Sequence, residues 1–363
     1  MNDQSPAAPA LFAPKQGADA WHEAQRVAFA PVVFQVARGL RDLGVLADLV
    51  AARPKPLTTA ELLASTGLSR NSLLTLLEAG LSFGFVTGGG DGWFITDTAV
   101  FLQRDERTRV NFDFTQDVCW PGMGELPRSL AEDAPHGLAA LGDWPTVYEG
   151  LSQLAEPARS SWLAFDHFYS DHAFPRAWPL VKATRPRRLL DVGGNTGRFA
   201  TFAARDDADL QVTILDLPGQ IGLAQVALQE AGVADRVSFA GADLLDADVA
   251  FPPGQDAVWM SQFLVCFGLD DVLHLLQRAK AALAPGGSVW ILDTFWDRQT
   301  SEPSTFCLHG LSPYFVAIAS GKSRVYPLSE LEPVIEAAGL RVDQIHDPLG
   351  PSHTLLRCVP AER

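Results

Sequence analysis

The sequence predicts an α/β fold, a seven-stranded, mostly parallel sheet with an antiparallel last strand, preceded by a mainly α-helical N-terminal region. Three observations carry that expectation. From about residue 187 onward, short apolar runs alternate with helical segments, the pattern of a parallel sheet covered on both faces. The first of these runs breaks into a glycine turn, Gly193-Gly-Asn-Thr-Gly197, that opens a helix. The last two runs meet across Pro348-Leu-Gly-Pro-Ser352, a connection too short for a parallel crossover.

The N-terminal elements come first. Residues 1–17 read as polar and loose. From Ala18 to Ala52, apolar residues including Val27, Val32, Val36, Leu40 and Leu49 recur at helical spacing, and Pro31 marks a break between two helices. Thr58 with Glu61 three residues on is a helix start of the capping-box kind. Ser69 caps a second helix through Leu73, Leu77 and Leu81. Phe85-Val-Thr, the turn Gly88–Gly92 and Trp93-Phe-Ile-Thr96 form a hairpin. Helix, turn, helix and hairpin make a winged-helix unit. Its second helix offers Arg70 as its base and a leucine-rich face, a poor footprint for phosphates, so dimerisation is the favoured use over DNA binding. The segment 100–185 is expected to be mainly helical, with Ser161–His172 a turn-rich helix at a cleft edge. Burying Asp166, His167 and Asp171 there without partners would be costly.

The strands follow near 187–193, 211–217, 236–243, 256–263, 288–295, 341–347 and 353–359. The spacing Gly193-x-x-x-Gly197 is neither the dinucleotide G-x-G-x-x-G nor a phosphate loop. Asp191 just before the turn would repel a pyrophosphate and suits a cationic ligand. Asp216 ends the second strand, about 20 residues on, where an acid can accept from ribose hydroxyls. Asp243 ends the third.

This constellation resembles the Rossmann-like class I S-adenosylmethionine-dependent methyltransferases. The order of motifs narrows the resemblance to the plant and bacterial small-molecule O-methyltransferases with an N-terminal winged-helix dimerisation domain. The resemblance implies S-adenosyl-L-methionine as cofactor. Gly193, Gly194, Asn195 and Gly197 would cradle its amino acid part, Asp216 would hold the ribose, and Asp243 with Leu244 would bracket the adenine. Asp191, Leu217, Ser261 and Gln262 complete the expected cofactor set. The family's Phe-x-x-x-Met segment falls on Phe165 and Tyr169. Trp162, Phe165, Tyr169, Phe263, Cys266, Phe306, Tyr314 and Phe315 are the expected substrate wall. The family's catalytic histidine falls on Val265, and its aspartate on Cys266. A phenol with a pKa of about 10 gains from a base, so His309 and His167 stand as candidate substitutes, with His353 behind them as a residue of structural character. Asp293 is expected to bond nearby loops, and Asp270 and Asp271 to open a helix.

The resemblance divides the chain into a dimerisation domain (1–110), a helical linker with pocket-lining residues (111–180) and a catalytic domain (181–363). The expected activity is methyl transfer to oxygen or to ring carbon of an aromatic or polyketide-like small molecule. A ligand-responsive winged-helix regulator and a non-catalytic cofactor-binding protein are the alternatives. The net charge is −15, from 43 acidic and 28 basic residues, which speaks against nucleic acid or an anionic membrane as partner. The 4 cysteines are scattered, without C-x-x-C, which suits free thiols in a reducing cytoplasm and no metal site. A homodimer in the cytoplasm is the expected assembly.

Overall fold

The computed structural model describes residues 14–90 and 92–362. The reading of residues 1–13 as loose, and Asp91 in the glycine turn, lie outside the described residues. The chain divides after Asp113 into two units.

In the first unit, helices span Gly17–Ala28, Ala30–Asp42, Val45–Ala52, Thr59–Thr66 and Arg70–Phe83. Phe29 separates the first two, and Pro31 sits in the first turn of the second, where its missing N–H leaves no bond unmade. Thr58 and Glu61 close a reciprocal capping box, and Ser69 Oγ accepts from Ser72 N at 3.1 Å. Strands β1 (Val86–Gly89) and β2 (Gly92–Ile95) pair antiparallel, with Val86 opposite Ile95. Leu40, Leu46, Leu49, Leu62, Leu73 and Leu77 fill a dry core beneath them. Trp21, Val27 and Val32 on the first two helices and Phe29 between them face solvent, Trp21 and Val27 at 68 % exposure each.

The second unit holds a seven-stranded sheet in the order β5-β4-β3-β6-β7-β9-β8. Its strands are β3 (Arg188–Val192), β4 (Gln211–Asp216), β5 (Val237–Gly241), β6 (Gln255–Ser261), β7 (Leu283–Asp293), β8 (Leu340–Leu349) and β9 (His353–Pro360). Pairing is parallel from β5 to β7; β9 enters antiparallel between β7 and β8. The strand order reverses at β3, between β4 and β6. The carboxyl ends of those three strands are therefore neighbours at the edge where open α/β sheets bind ligands. Both faces are covered. On one, Trp259 of β6 is fully buried and stacks on Phe199 at 4.0 Å. On the other, Val258, Met260 and Ile291 pack against Val272, Leu275 and Leu276 of the helix Leu269–Ala282. Each such side chain is worth about 1.5–3 kcal/mol on burial.

Ser161–His172 is not turn-rich. It lies inside one 25-residue helix, Ala158–Lys182, which continues through Pro175 and Pro179. The helix buries Ala173, Phe174, Ala177 and Trp178 against the sheet's core, and that packing outweighs the two missing N–H donors. Among the described residues, no helix is long and apolar enough to cross a membrane, and no cluster of His, Cys, Asp or Glu could hold a metal.

Candidate functional site

The glycine turn leaves β3 between two crowded walls. Gly193 has φ +71°, and a Cβ on it would lie 2.4 Å from Cδ2 of Phe263. A Cβ on Gly194 would lie 2.9 Å from Ile214 and 3.0 Å from Asp191 Oδ2. Only bare backbone fits here, which is what lets a ligand come close. Asn195 follows at φ +48°. Its backbone N–H donates to Asp216 Oδ2 at 2.7 Å, and Leu217 N–H donates to Asp216 Oδ1 at 2.6 Å. Asp216 thus ties β4 to the turn as well as standing at the edge.

Asp191 is 2 % exposed, and its Oδ2 has no hydrogen-bond partner. Burial, and then the neighbouring Asp216, push it up to about 8; burial raises Asp216 to about 6 against the two N–H donors that favour its charge. Asn195 Oδ1 and Ser261 Oγ are also buried without partners. Two unpartnered acceptors, on Asp191 and Asn195, beside a hydroxyl that can donate or accept, fit a ligand that brings cationic N–H groups and hydroxyls. They do not fit a phosphate.

The sequence reading missed how Asp166 joins this site. Its Oδ2 accepts from Asn195 Nδ2 at 3.2 Å, and its Oδ1 accepts from Gln262 Nε2 at 2.7 Å. Gln262 sits at φ +50°, and its Oε1 meets His353 Nε2 at 2.9 Å. An amide oxygen only accepts, so His353 carries its proton on Nε2. Its Nδ1 is buried and bare, and burial lowers its pKa to about 3, which keeps the ring neutral. The cost of burying an acid in an aromatic helix was the one sequence signal that pointed to Asp166.

The loop after β5 is held from below. The guanidinium of Arg278 donates to the carbonyls of Leu244 at 2.5 Å, Asp246 at 3.0 Å and Val249 at 3.2 Å. Asp243 is exposed and accepts from Leu245 N, while Leu244 turns into the core.

Beyond the turn lies a packed aromatic cluster. Phe114 stacks on Phe165 at 4.2 Å and meets Tyr314 edge-on at 5.0 Å. Tyr169 lies 4.9 Å from Phe165, and Phe315 lies 5.3 Å from Tyr314. Trp162 Nε1 donates to Tyr314 Oη at 2.8 Å, and Cys266 packs against the same cluster. Burial raises the Cys266 thiol beyond any nucleophilic range.

Three expected side chains fall elsewhere. Phe306 is 63 % exposed on the helix Glu302–Tyr314 and stands outside this cluster. Phe263 packs under Gly193 and against Phe267 at 4.8 Å, in the core below the turn. His309 is exposed on the same helix side as Phe306, with its ring against Trp296 at 5.1 Å. A base there would lack the desolvated setting that tunes such groups. His167, the other candidate base, faces the turn, its Nε2 3.0 Å from Thr196 Oγ1; burial lowers it to about 4. Val265 is buried, and its N–H donates to Asp293, which also accepts from Thr294 N and is raised by burial to about 7.

Residues 177–341 match the family model described as an O-methyltransferase domain, and residues 22–93 match a Dimerisation2-like domain. The chain is 25 % identical over 317 residues to L-tyrosine C(3)-methyltransferase of Streptomyces lavendulae, covering 86 % of this chain and 85 % of that one. It is 29 % identical over 328 residues to demethylspheroidene O-methyltransferase of Cereibacter sphaeroides, covering 87 % and 81 %. Its fold matches, at a TM-score of 0.66 and 23 % identity, an O-methyltransferase from neocarzinostatin biosynthesis solved with S-adenosylmethionine and 2-hydroxy-5-methyl naphthoic acid, over 91 % of this chain and 96 % of that one.

Proposed function

Since the chain belongs to the O-methyltransferase domain family and is an S-adenosylmethionine-dependent enzyme, we propose that it methylates a hydroxyl on an aromatic or polyketide-like small molecule. The observation that carries this reading is the juxtaposition of a bare turn edged by unpartnered acceptors with an aromatic cluster of Trp162, Phe165, Tyr169 and Tyr314. The cofactor supplies a methyl group on a cationic sulfur. The chain's own residues bind, orient and keep the reaction dry. Gly193 and Gly194 would admit the amino acid part, Asp191 and Asn195 would offer it acceptors, and Asp216 would hold the ribose hydroxyls. The loop Asp243–Leu244, held by Arg278, would flank the adenine. The aromatic walls fix a flat ring, and orientation of this kind can supply much of a rate enhancement.

Ring C-methylation is the second reading, favoured by Val265, an aliphatic side chain that takes no proton. Incubation with methyl-labelled cofactor and a panel of hydroxylated benzoates, naphthoates and polyketides tests both. NMR of the product assigns the methyl to oxygen or carbon. Tight cofactor binding with no transfer to any hydroxylated ring would sink the proposal. In the same assay His309→Ala is expected to keep kcat within about threefold of the parent, against the loss of about 10²–10⁴ that removing a general base produces. A loss in that larger range would restore His309 as the base.

The assembly is proposed to be a twofold dimer in the cytoplasm, formed through the first unit. The solvent-facing Trp21, Val27, Phe29 and Val32 make an apolar surface of the kind that a partner covers. Light scattering at micromolar concentration is expected to give twice the chain mass of 39.2 kDa. Replacing Trp21 and Val27 together by serine should give the monomer, and a parent that is already monomeric would refute the dimer.

A further inference from the structure

Two non-glycine residues in the second unit's ligand edge hold left-handed backbone, Asn195 at φ +48° and Gln262 at φ +50°. Both spend their side-chain amides on one carboxylate, that of Asp166. Such conformations persist where the surroundings enforce them, and they gather at functional sites. Here the enforcement is visible. His353, buried on β9, donates to Gln262 Oε1 and so fixes which end of that amide faces Asp166. Three segments far apart in sequence therefore combine to orient one acid.

The acid is not there to balance a protein cation. Arg198 reaches Asp166 electrostatically, but its Nε donates to Asp171 Oδ1 at 3.0 Å, and the two form an ion pair. Asp171 itself opposes charge on Asp166. The amides of Asn195 and Gln262 fill one acceptor position on each oxygen, and a carboxylate has about four in all. Asn195 Oδ1 beside it, and the 2 % exposed Asp191 Oδ2 against Gly194, are buried without donors. A set of acceptors converging at a bare turn calls for a compact group with several N–H donors and a positive charge.

Resting on the cofactor reading above, we propose that Asp166 is a binding residue for the ammonium group of the cofactor's amino acid end, presented by Gln262, His353 and Asn195. The test is calorimetry on the full chain with S-adenosylmethionine, S-adenosylhomocysteine and methylthioadenosine. The first two share the ammonium, and the third lacks the amino acid part. Asp166→Asn keeps the shape and removes the charge. It is expected to weaken both amino acid-bearing ligands by about 10- to 100-fold, the worth of a hydrogen bond to a charged group, and to leave methylthioadenosine unchanged. Gln262→Gly removes the orienting amide while suiting the left-handed backbone, so it guards against a misfolded Asp166 variant and should show the same split more weakly. Three results would overturn the assignment: unchanged affinities, a loss confined to S-adenosylmethionine (a contact with the sulfonium), or an equal loss for all three ligands (a structural role). A parent protein that binds none of the three would sink the cofactor reading itself, and the proposal with it.

Discussion

Replacing Gly193 with valine is expected to abolish cofactor binding and to destabilise the second unit by about 2–5 kcal/mol. Two costs add. A side chain at φ +71° sits in a backbone region that costs an L-residue about 1–2 kcal/mol. Its Cβ would then stand 2.4 Å from Cδ2 and 3.0 Å from Cε2 of Phe263, and forcing extra carbon into a packed site costs typically about 1–3 kcal/mol more. Phe263 cannot swing aside freely, because it is 8 % exposed and packed on Phe267. The turn must move instead, and it carries the Asn195 N–H to Asp216 bond with it. Gly222→Ala is the control. That glycine lies in the helix Pro218–Ala231 with nothing within 4 Å of a new Cβ, and alanine there should stabilise slightly. Calorimetry and thermal unfolding of both variants check the contrast. Parent-like affinity in Gly193→Val would show that the turn is not part of the site.

Much of this architecture was legible in the sequence because its signals are local. Val212-Thr-Ile-Leu-Asp216 is apolar, short and ends in an acid, and it forms β4. Thr58 and Glu61 carry their own capping geometry within one turn. The short link Gly350–Ser352 leaves β8 and β9 no choice but to pair antiparallel. The Asp166 relay was not legible, because its bonds join residues 29, 96 and 91 positions apart and nothing near Gln262 announces a left-handed backbone. That same backbone turn explains the misplacement of Phe263, which it sends under Gly193. The misreading of Phe306 and His309 has a different origin. In Glu302–Tyr314 the buried positions are Ser304, Thr305, Leu308 and Tyr314. Phe306 and His309 are three apart and share the opposite face. Helical phase separates them from Tyr314, although all three lie in the one segment where the family resemblance implies pocket residues.

Asp216→Ala should cost about 10- to 100-fold in cofactor affinity, the worth of a charge-assisted acceptor for hydroxyls. Unlike an edge residue that only meets ligand, Asp216 also accepts from Asn195 N and Leu217 N, so the variant leaves those two donors unpaired. Each unpaired buried donor costs about 1–3 kcal/mol, and part of the affinity loss will come through a loosened turn. The pH dependence separates the two contributions. Burial raises Asp216 in the folded protein to about 6, above its ordinary value of 3.8. A carboxyl raised on folding contributes stability that is fully present below the unfolded value and is lost as pH rises through the folded one. Removing Asp216 should therefore destabilise the protein more at about pH 5, where the native carboxyl is protonated, than at about pH 8, where the parent already bears a buried charge. Ligand affinity runs the other way. The parent should bind S-adenosylmethionine more weakly as pH falls through about 6, because protonation removes the anionic acceptor. The variant should keep only the part of that slope owed to Asp166, which burial also raises to about 6, and to Asp191, which burial holds up even without its Asp216 neighbour. Melting curves and calorimetry across this range measure both trends. An Asp216→Ala protein with parent-like affinity and an unaltered pH slope would remove Asp216 from the binding site and leave it as the anchor of the turn alone.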